Sequence, residues 1–304
     1  MELTSPKNIK NLLKKYDLRP SKRLGQHFLV DRGVLEKIIR VADLKKSDTV
    51  LEIGPGIGTL TQELAKRVKK VIAVEKDKKM VEILRELLDC WNVGNVEIIE
   101  SDILKTNIQN LISNIKYKVV TNLPYYIVSP VIRKFLELTE ARPLEMILMV
   151  QKEVAQRICA KPPDMSILAV SVQFYAKPKI LFYVPKESFW PQPKVDGAVL
   201  RISRICTNLP RIDTNLFFKI VRAGFSQPRK QLVNNLAKML ALSLPNEVKL
   251  DKPSQILRNK TWAGKEKVKG WLLENRIEPT QRAETLTIED WVKLTKNFGW
   301  KIQK

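Results

Sequence analysis

Between about Leu24 and Ile205, short β-branched runs alternate with longer helix-compatible stretches, and this alternation restricts the chain to βαβ units around a mostly parallel sheet. Thr49 to Ile53, Lys70 to Val74, Val96 to Glu100, Lys118 to Thr121 and Met146 to Val150 read as buried strands, each followed by a helical pattern. Ile180 to Val184 and Val195 to Ile202 lie close together, which predicts an antiparallel pair at the sheet edge rather than another crossover. Beyond Ile205 the period changes. Phe217, Ile220, Val221, Gly224 and Phe225, then Leu232, Leu236, Met239 and Leu240, recur at helical spacing among many basic residues. Pro245, Pro253 and Pro279 divide this part into about four short helices. The expected organisation is a basic arm over residues 1–23, a doubly wound, Rossmann-like α/β domain over 24–205, and a small all-helical domain over 206–304.

The charge balance narrows the partner. The 304 residues carry 54 Lys and Arg against 32 Asp and Glu, a formal net charge of +22. The excess is densest in residues 1–23 and 206–304, as expected if flanking parts grip a polyphosphate while the middle does chemistry. Diffuse solvation by lysines is the bland alternative. No apolar run approaches the roughly 18 residues of a bilayer span, and the first fifteen residues lack an apolar signal core. Cys90, Cys159 and Cys206 are far apart and form no C-x-x-C pair, so neither a disulfide framework nor a thiolate metal site is expected. These features point to a cytoplasmic protein that binds nucleic acid, with no membrane partner and no metal; a monomer is the expectation.

Only eleven glycines occur in the chain, and three of them stand at alternate positions in Glu52-Ile53-Gly54-Pro55-Gly56-Ile57-Gly58-Thr59, directly after an expected strand. Glycine there permits a tight turn and close approach of a ligand to the backbone. A dinucleotide loop would need its third glycine one position later, where Thr59 stands. The E-x-G-x-G-x-G spacing instead suits S-adenosylmethionine. Glu75, at the end of the next strand, can accept from both ribose hydroxyls, with Asp77 the nearby rival and the better helix cap. Asp102, after the third strand, can accept from the adenine amino group or cap a helix.

Asn122-Leu123-Pro124-Tyr125 follows the fourth strand. An adenine amino group is a poor nucleophile because its lone pair is delocalised into the ring. The Asn122 side-chain oxygen and a main-chain carbonyl near Leu123 can accept its two hydrogens and favour tetrahedral geometry, while Pro124 fixes the turn and Tyr125 offers a face to a flipped base. An ordinary Asn-x-Pro turn is the alternative for the isolated tetrapeptide, and it loses weight after a cofactor loop and two acids in register.

With these motifs the sequence resembles the KsgA-type ribosomal RNA small-subunit adenine N6,N6-dimethyltransferases, relatives of the erythromycin-resistance methyltransferases and the mitochondrial transcription factor B proteins. The resemblance runs from about Lys22 to Ala283. It also includes Gly25-Gln26-His27-Phe28-Leu29, Gln151-Lys152-Glu153-Val154, Phe189-Trp190-Pro191-Gln192-Pro193-Lys194-Val195-Asp196 and Phe225-Ser226-Gln227-Pro228-Arg229-Lys230. It implies a class I methyltransferase whose cofactor is held by His27, Leu29, Gly54, Glu75, Asp102 and Asn122. It further implies that Phe189 stacks on the target adenine opposite Tyr125. The family usually has Arg where this chain has Pro228, which removes one phosphate contact but leaves Arg229 and Lys230 as RNA-binding candidates. In the sequence reading, Pro228 opens a helix and holds both cations near its first turn. The implied reaction is dimethylation of two adjacent adenosines near the 3′ end of 16S ribosomal RNA. Two rivals stand beside it: a 23S ribosomal RNA methyltransferase of the macrolide-resistance type, which the pattern between Thr207 and Gln281 disfavours, and a non-catalytic assembly or transcription factor on the same fold.

Overall fold

Four apolar runs become parallel strands buried on nearly every position, while Val96–Glu100, at the sheet edge, alternates partly buried with exposed positions. The computed structural model describes residues 2–21, 24–112, 115–138, 141–206, 209–243 and 253–298. Lys22, Arg23, Thr207 and Pro245, which figured in the sequence reading, lie outside them. In chain order the strands are β1 (Phe28–Leu29), β2 (Thr49–Ile53), β3 (Lys70–Glu75), β4 (Val96–Glu100), β5 (Tyr117–Asn122), β6 (Met146–Gln151), β7 (Lys177–Val184), β8 (Phe189–Trp190) and β9 (Gly197–Ser203). The helices are α1 (Pro6–Lys15), α2 (Arg32–Val41), α3 (Thr59–Ala65), α4 (Lys78–Cys90), α5 (Ile108–Leu111), α6 (Val128–Glu137), α7 (Lys152–Cys159), α8 (Ile167–Tyr175), α9 (Thr214–Gly224), α10 (Leu232–Ser243), α11 (Pro253–Glu274) and α12 (Ile288–Lys296).

The main sheet has the order β4-β3-β2-β5-β6-β9-β7. β2 through β6 are parallel, and β9 pairs antiparallel with both β6 and β7, so the expected antiparallel pair does close one edge. The chain runs outward from β2 through β3 to β4 and then returns to lay β5 beside β2. The order therefore reverses between β2 and β5, and at such a switch point the loops leaving neighbouring strands diverge and open a crevice.

The chain divides into two compact units, Met1–Gln156 with Tyr175–Thr207, and Arg157–Phe174 with Asn208–Lys304. The sequence boundary at 205/206 missed the segment Arg157–Phe174, which groups with the helical residues. Phe174 stacks on Phe217 at 4.3 Å between ring centroids, and Met165 N donates to Glu284 O. In this unit Trp291 is wholly buried, and a Cβ at Gly224 would lie 2.4 Å from its ring, so only glycine lets α9 approach so closely. α11 is a 22-residue helix, longer than the short segments expected there.

The amino-terminal arm also differs from its expectation. Residues Pro6–Lys15 form a helix whose Ile9, Leu12 and Leu13 are buried against Phe28, Ile57, Met80, Ile83 and Leu87. Ile9, Leu12, Leu13 and Tyr16 fall on one side at helical spacing, a pattern the surrounding lysines obscured. No helix among the described residues is long and apolar enough to cross a membrane, and none of them forms a three-residue His, Cys, Asp or Glu cluster that could hold a metal.

Candidate active site

The glycine loop leaves β2 and the Asn122–Tyr125 turn leaves β5, on the two sides of the switch point. Gly54 and Gly56 both have positive φ, +67° and +56°. A Cβ at Gly54 would lie 3.5 Å from Pro124, and one at Gly56 would lie 3.4 Å from the Phe28 ring. The loop is thus flanked by the turn on one side and by β1 on the other, with its backbone bare between them.

Glu75 ends β3 and is 8% exposed. One of its oxygens accepts from Lys76 N at 2.7 Å and Asp77 N at 2.9 Å, the other from Gly56 N at 3.1 Å. Burial nevertheless holds its carboxyl above the usual carboxylate range, against those three donors. Asp77 caps α4 through Lys79 N and accepts from Gln26 Nε2, as its reading as a cap implied. Asp102 caps a turn rather than a helix: Oδ1 accepts from Leu104 N at 3.0 Å, while Oδ2 pairs with Lys76 Nζ at 2.9 Å, and the residue lines the same cavity as Glu75. The Lys76 hydrogen bond holds its carboxyl below the ordinary value.

Asn122 is the last residue of β5, and its Nδ2 donates to His27 O at 3.4 Å, which leaves Oδ1 as the acceptor. The carbonyl of Pro124 accepts from Ile127 N, so the free main-chain acceptor beside Asn122 falls to Leu123. Tyr125 stacks on His27 at 5.9 Å between centroids, and the His27 Nδ1 donates to Pro191 O at 2.6 Å. The Tyr125 hydroxyl is buried without a partner among the described residues, and burial, aided by Glu153 and Asp196, pushes its pKa up to about 12.

His27, Leu29 and Phe189 arrive by a connection that the sequence reading did not contain. β1 and β8 form a two-stranded antiparallel ribbon in which Leu29 opposes Phe189 and Phe28 opposes Trp190. The ribbon carries the amino-terminal segment and the buried Phe189 to the wall of one cavity. That cavity is lined by His27, Leu29, Gly54, Glu75, Asp102, Asn122, Leu123, Pro124, Tyr125 and Phe189, so all ten candidate residues meet there. Arg229 and Lys230 belong to the second unit. Their loop corrects one expectation: Lys230 N donates to Gln227 O, so Pro228 is the corner of a turn and the helix begins only at Leu232. Asn235 Nδ2, donating to Gly224 O and Gln227 O, holds that turn short of the helix.

One residue without an assigned role also lines the cavity. Glu52 is 2% exposed, one of its oxygens has no partner among the described residues, and burial with the Glu75 carboxylate nearby pushes its pKa up to about 8. An acidic residue inside the otherwise apolar run Thr49-Val50-Leu51-Glu52-Ile53 was the signal that could have found it.

Residues 17–278 match the family described as ribosomal RNA adenine dimethylase. The chain belongs to this family. Among similar dimethylases, "Ribosomal RNA small subunit methyltransferase A" of Dehalococcoides mccartyi is 44% identical over 295 residues, covering 95% of this chain and 92% of that protein. The protein of the same name from Geobacillus sp. is 39% identical over 303 residues, 97% of each chain. A dimethyladenosine transferase from Plasmodium falciparum superposes with a TM-score of 0.68 at 27% identity, over 88% of this chain and 96% of that one. The 23S rRNA methyltransferase ErmE superposes at 0.64 with 23% identity, over 89% and 98%, a likeness of fold.

The cavity suits the S-adenosylmethionine that methyltransferases use. A buried carboxyl group with an oxygen unpartnered among the described residues, a second one facing the glycine loop, and loop backbone left bare at the positive-φ Gly54 and Gly56 match a ligand with a cationic amino-acid end and a ribose.

Proposed function

We propose that the protein transfers methyl groups from S-adenosylmethionine to N6 of two adjacent adenosines in a hairpin near the 3′ end of 16S ribosomal RNA, twice on each, during assembly of the small ribosomal subunit. The observation that carries this reading is the opening of the Asn122–Tyr125 turn onto the same cavity as the glycine loop, Glu75, Asp102 and Phe189. Glu75 would hold the ribose hydroxyls through lone pairs left over from its three backbone donors, Asp102 the adenine, and the backbone around His27, Leu29 and Gly54 the rest of the cofactor. When bound, that cofactor supplies a methyl group made electrophilic by its sulfonium.

The residues of this chain handle the acceptor. Asn122 Oδ1 and the Leu123 carbonyl draw the two amino hydrogens apart and return the nitrogen lone pair from the ring, an interaction that strengthens as the nitrogen leaves planarity. Pro124 fixes the turn. Tyr125, stiffened by its stack on His27, and Phe189 on the β1–β8 ribbon confine the base. The rival on 23S RNA shares this fold, but the relatives alike over nearly the whole chain bear the small-subunit name. An intact Asn122–Tyr125 turn disfavours the non-catalytic rival.

Mapping N6,N6-dimethyladenosine in ribosomal RNA from cells with and without the gene tests the reading. Both adenosines of the 16S hairpin are expected to lose dimethylation in its absence. Unchanged 16S modification, or a loss in 23S RNA instead, overturns it. Glu75→Ala is expected to weaken S-adenosylmethionine binding by about 1 to 3 kcal/mol in calorimetry, the range for a hydrogen bond to a charged group. Unchanged affinity would remove Glu75 from the ribose.

A further inference from the structure

Helix α1 carries four lysines and no acid, and three of them, Lys7, Lys10 and Lys14, stand at i, i+3 and i+7. At 100° per residue they fall within about 60° of arc, opposite the apolar side formed by Ile9, Leu12 and Leu13. All three are exposed, and none forms an ion pair among the described residues. Lys15, on the flank, is occupied by Glu86. Lys10 Nζ sits 5.6 Å from the Trp190 ring centroid, and Trp190 stacks on Phe28 and directly follows Phe189 on the cavity ribbon.

Helix stability does not account for this stripe. Like charges three and four residues apart repel, and Lys7 in the first turn opposes the helix dipole, so although Lys14 in the last turn complements that dipole, the stripe as a whole gains nothing from it. Nor does the helix suit a lipid surface, because its apolar side is consumed in the core: Ile9 is 0% and Leu13 2% exposed, leaving nothing to insert. We infer that Lys7, Lys10 and Lys14 form a docking surface for the sugar-phosphate backbone of the RNA strand that flanks the target base. The three cations span about 10 Å along the helix axis, enough to meet neighbouring phosphates of one strand. The Lys10–Trp190 contact ties this rail to the ribbon that carries Phe189, so the strand is gripped next to the pocket its base enters. This inference rests on the RNA-methylating reading.

The test uses the full chain and small ribosomal subunits that lack the dimethylation, with methyl incorporation measured across a salt series. Lys7→Glu with Lys14→Glu leaves Lys10 on Trp190 and touches no buried residue. The expected result is a KM for subunits raised about tenfold or more at low salt, an unchanged kcat, and a log KM against log salt slope lowered by roughly 0.7 to 0.9 per lost phosphate contact. Lys7→Arg with Lys14→Arg is expected to keep the wild-type KM and slope. An unchanged KM and slope in the glutamate variant overturns the inference while leaving the methylation reading intact. So does a variant that loses only binding to phosphatidylserine vesicles. A wild-type protein that methylates no such RNA overturns the reading, and this inference with it.

Discussion

Asn122→Ala is expected to lower methyl transfer about 100-fold or more at saturating S-adenosylmethionine while RNA affinity stays near wild type. The magnitude is that of removing one preorganised partner from a developing charge, and it falls on the chemical step because the Asn122 contact matters most once the amino group leaves planarity. The fold should tolerate the change: the one hydrogen bond lost is the 3.4 Å contact from Nδ2 to His27 O, while the β5 pairing with β6 is made by main chain. Saturating cofactor is needed because the cofactor site adjoins Asn122. Single-turnover methylation with a melting curve on the same preparation decides the matter. Wild-type turnover in a folded variant would remove Asn122 from the chemistry.

Glu52→Gln is expected to flatten the pH dependence of stability and to stabilise the ligand-free protein at pH 8.5. The Glu52 carboxyl sits near 8 in the folded chain against 4.5 for a free glutamate, because burial disfavours the charge and Glu75 repels it. The folded state therefore holds a proton that the unfolded state releases between those two values, so this residue costs the wild type stability progressively as pH rises from about 4.5 to 8. At pH 8.5 the cost is on the order of 5 kcal/mol. A cationic ligand beside Glu52 reverses the balance, so wild-type affinity for S-adenosylmethionine should climb from pH 6 to pH 8.5, and that climb should vanish in the variant. Denaturant melts and calorimetry at the two pH values read both effects. Parallel stability profiles for wild type and variant would show that Glu52 does not titrate in this window.

Much of the first unit was legible because its signals are local. A run such as Lys70–Glu75 can bury both faces only as a central parallel strand, and glycines at 54, 56 and 58 mark a turn that other residues resist. Since parallel strands present their carboxyl ends together, Glu75, Asp102 and Asn122 could be placed on one crevice from their positions after three strands. The chemistry of the Asn122–Tyr125 turn was likewise contained in four consecutive residues.

What tertiary structure decided had no local signature. The β1–β8 ribbon joins two-residue strands some 160 positions apart, too short for any periodicity, yet it alone brings His27, Leu29 and Phe189 to the cavity. Helix α1 was hidden by its lysines, since its three or four apolar positions gain meaning only when α4 and Phe28 are there to cover them. Pro228 was compatible with a helix start until Asn235 bound the carbonyls before it and fixed a turn. The sequence determined which groups lie at strand ends, because strand boundaries and the parallel direction follow from apolar runs alternating with helical stretches. Which of them face one another, and how far burial shifts the charge on Glu52, depended on packing between segments distant in the chain, and that information is carried by no single stretch of it.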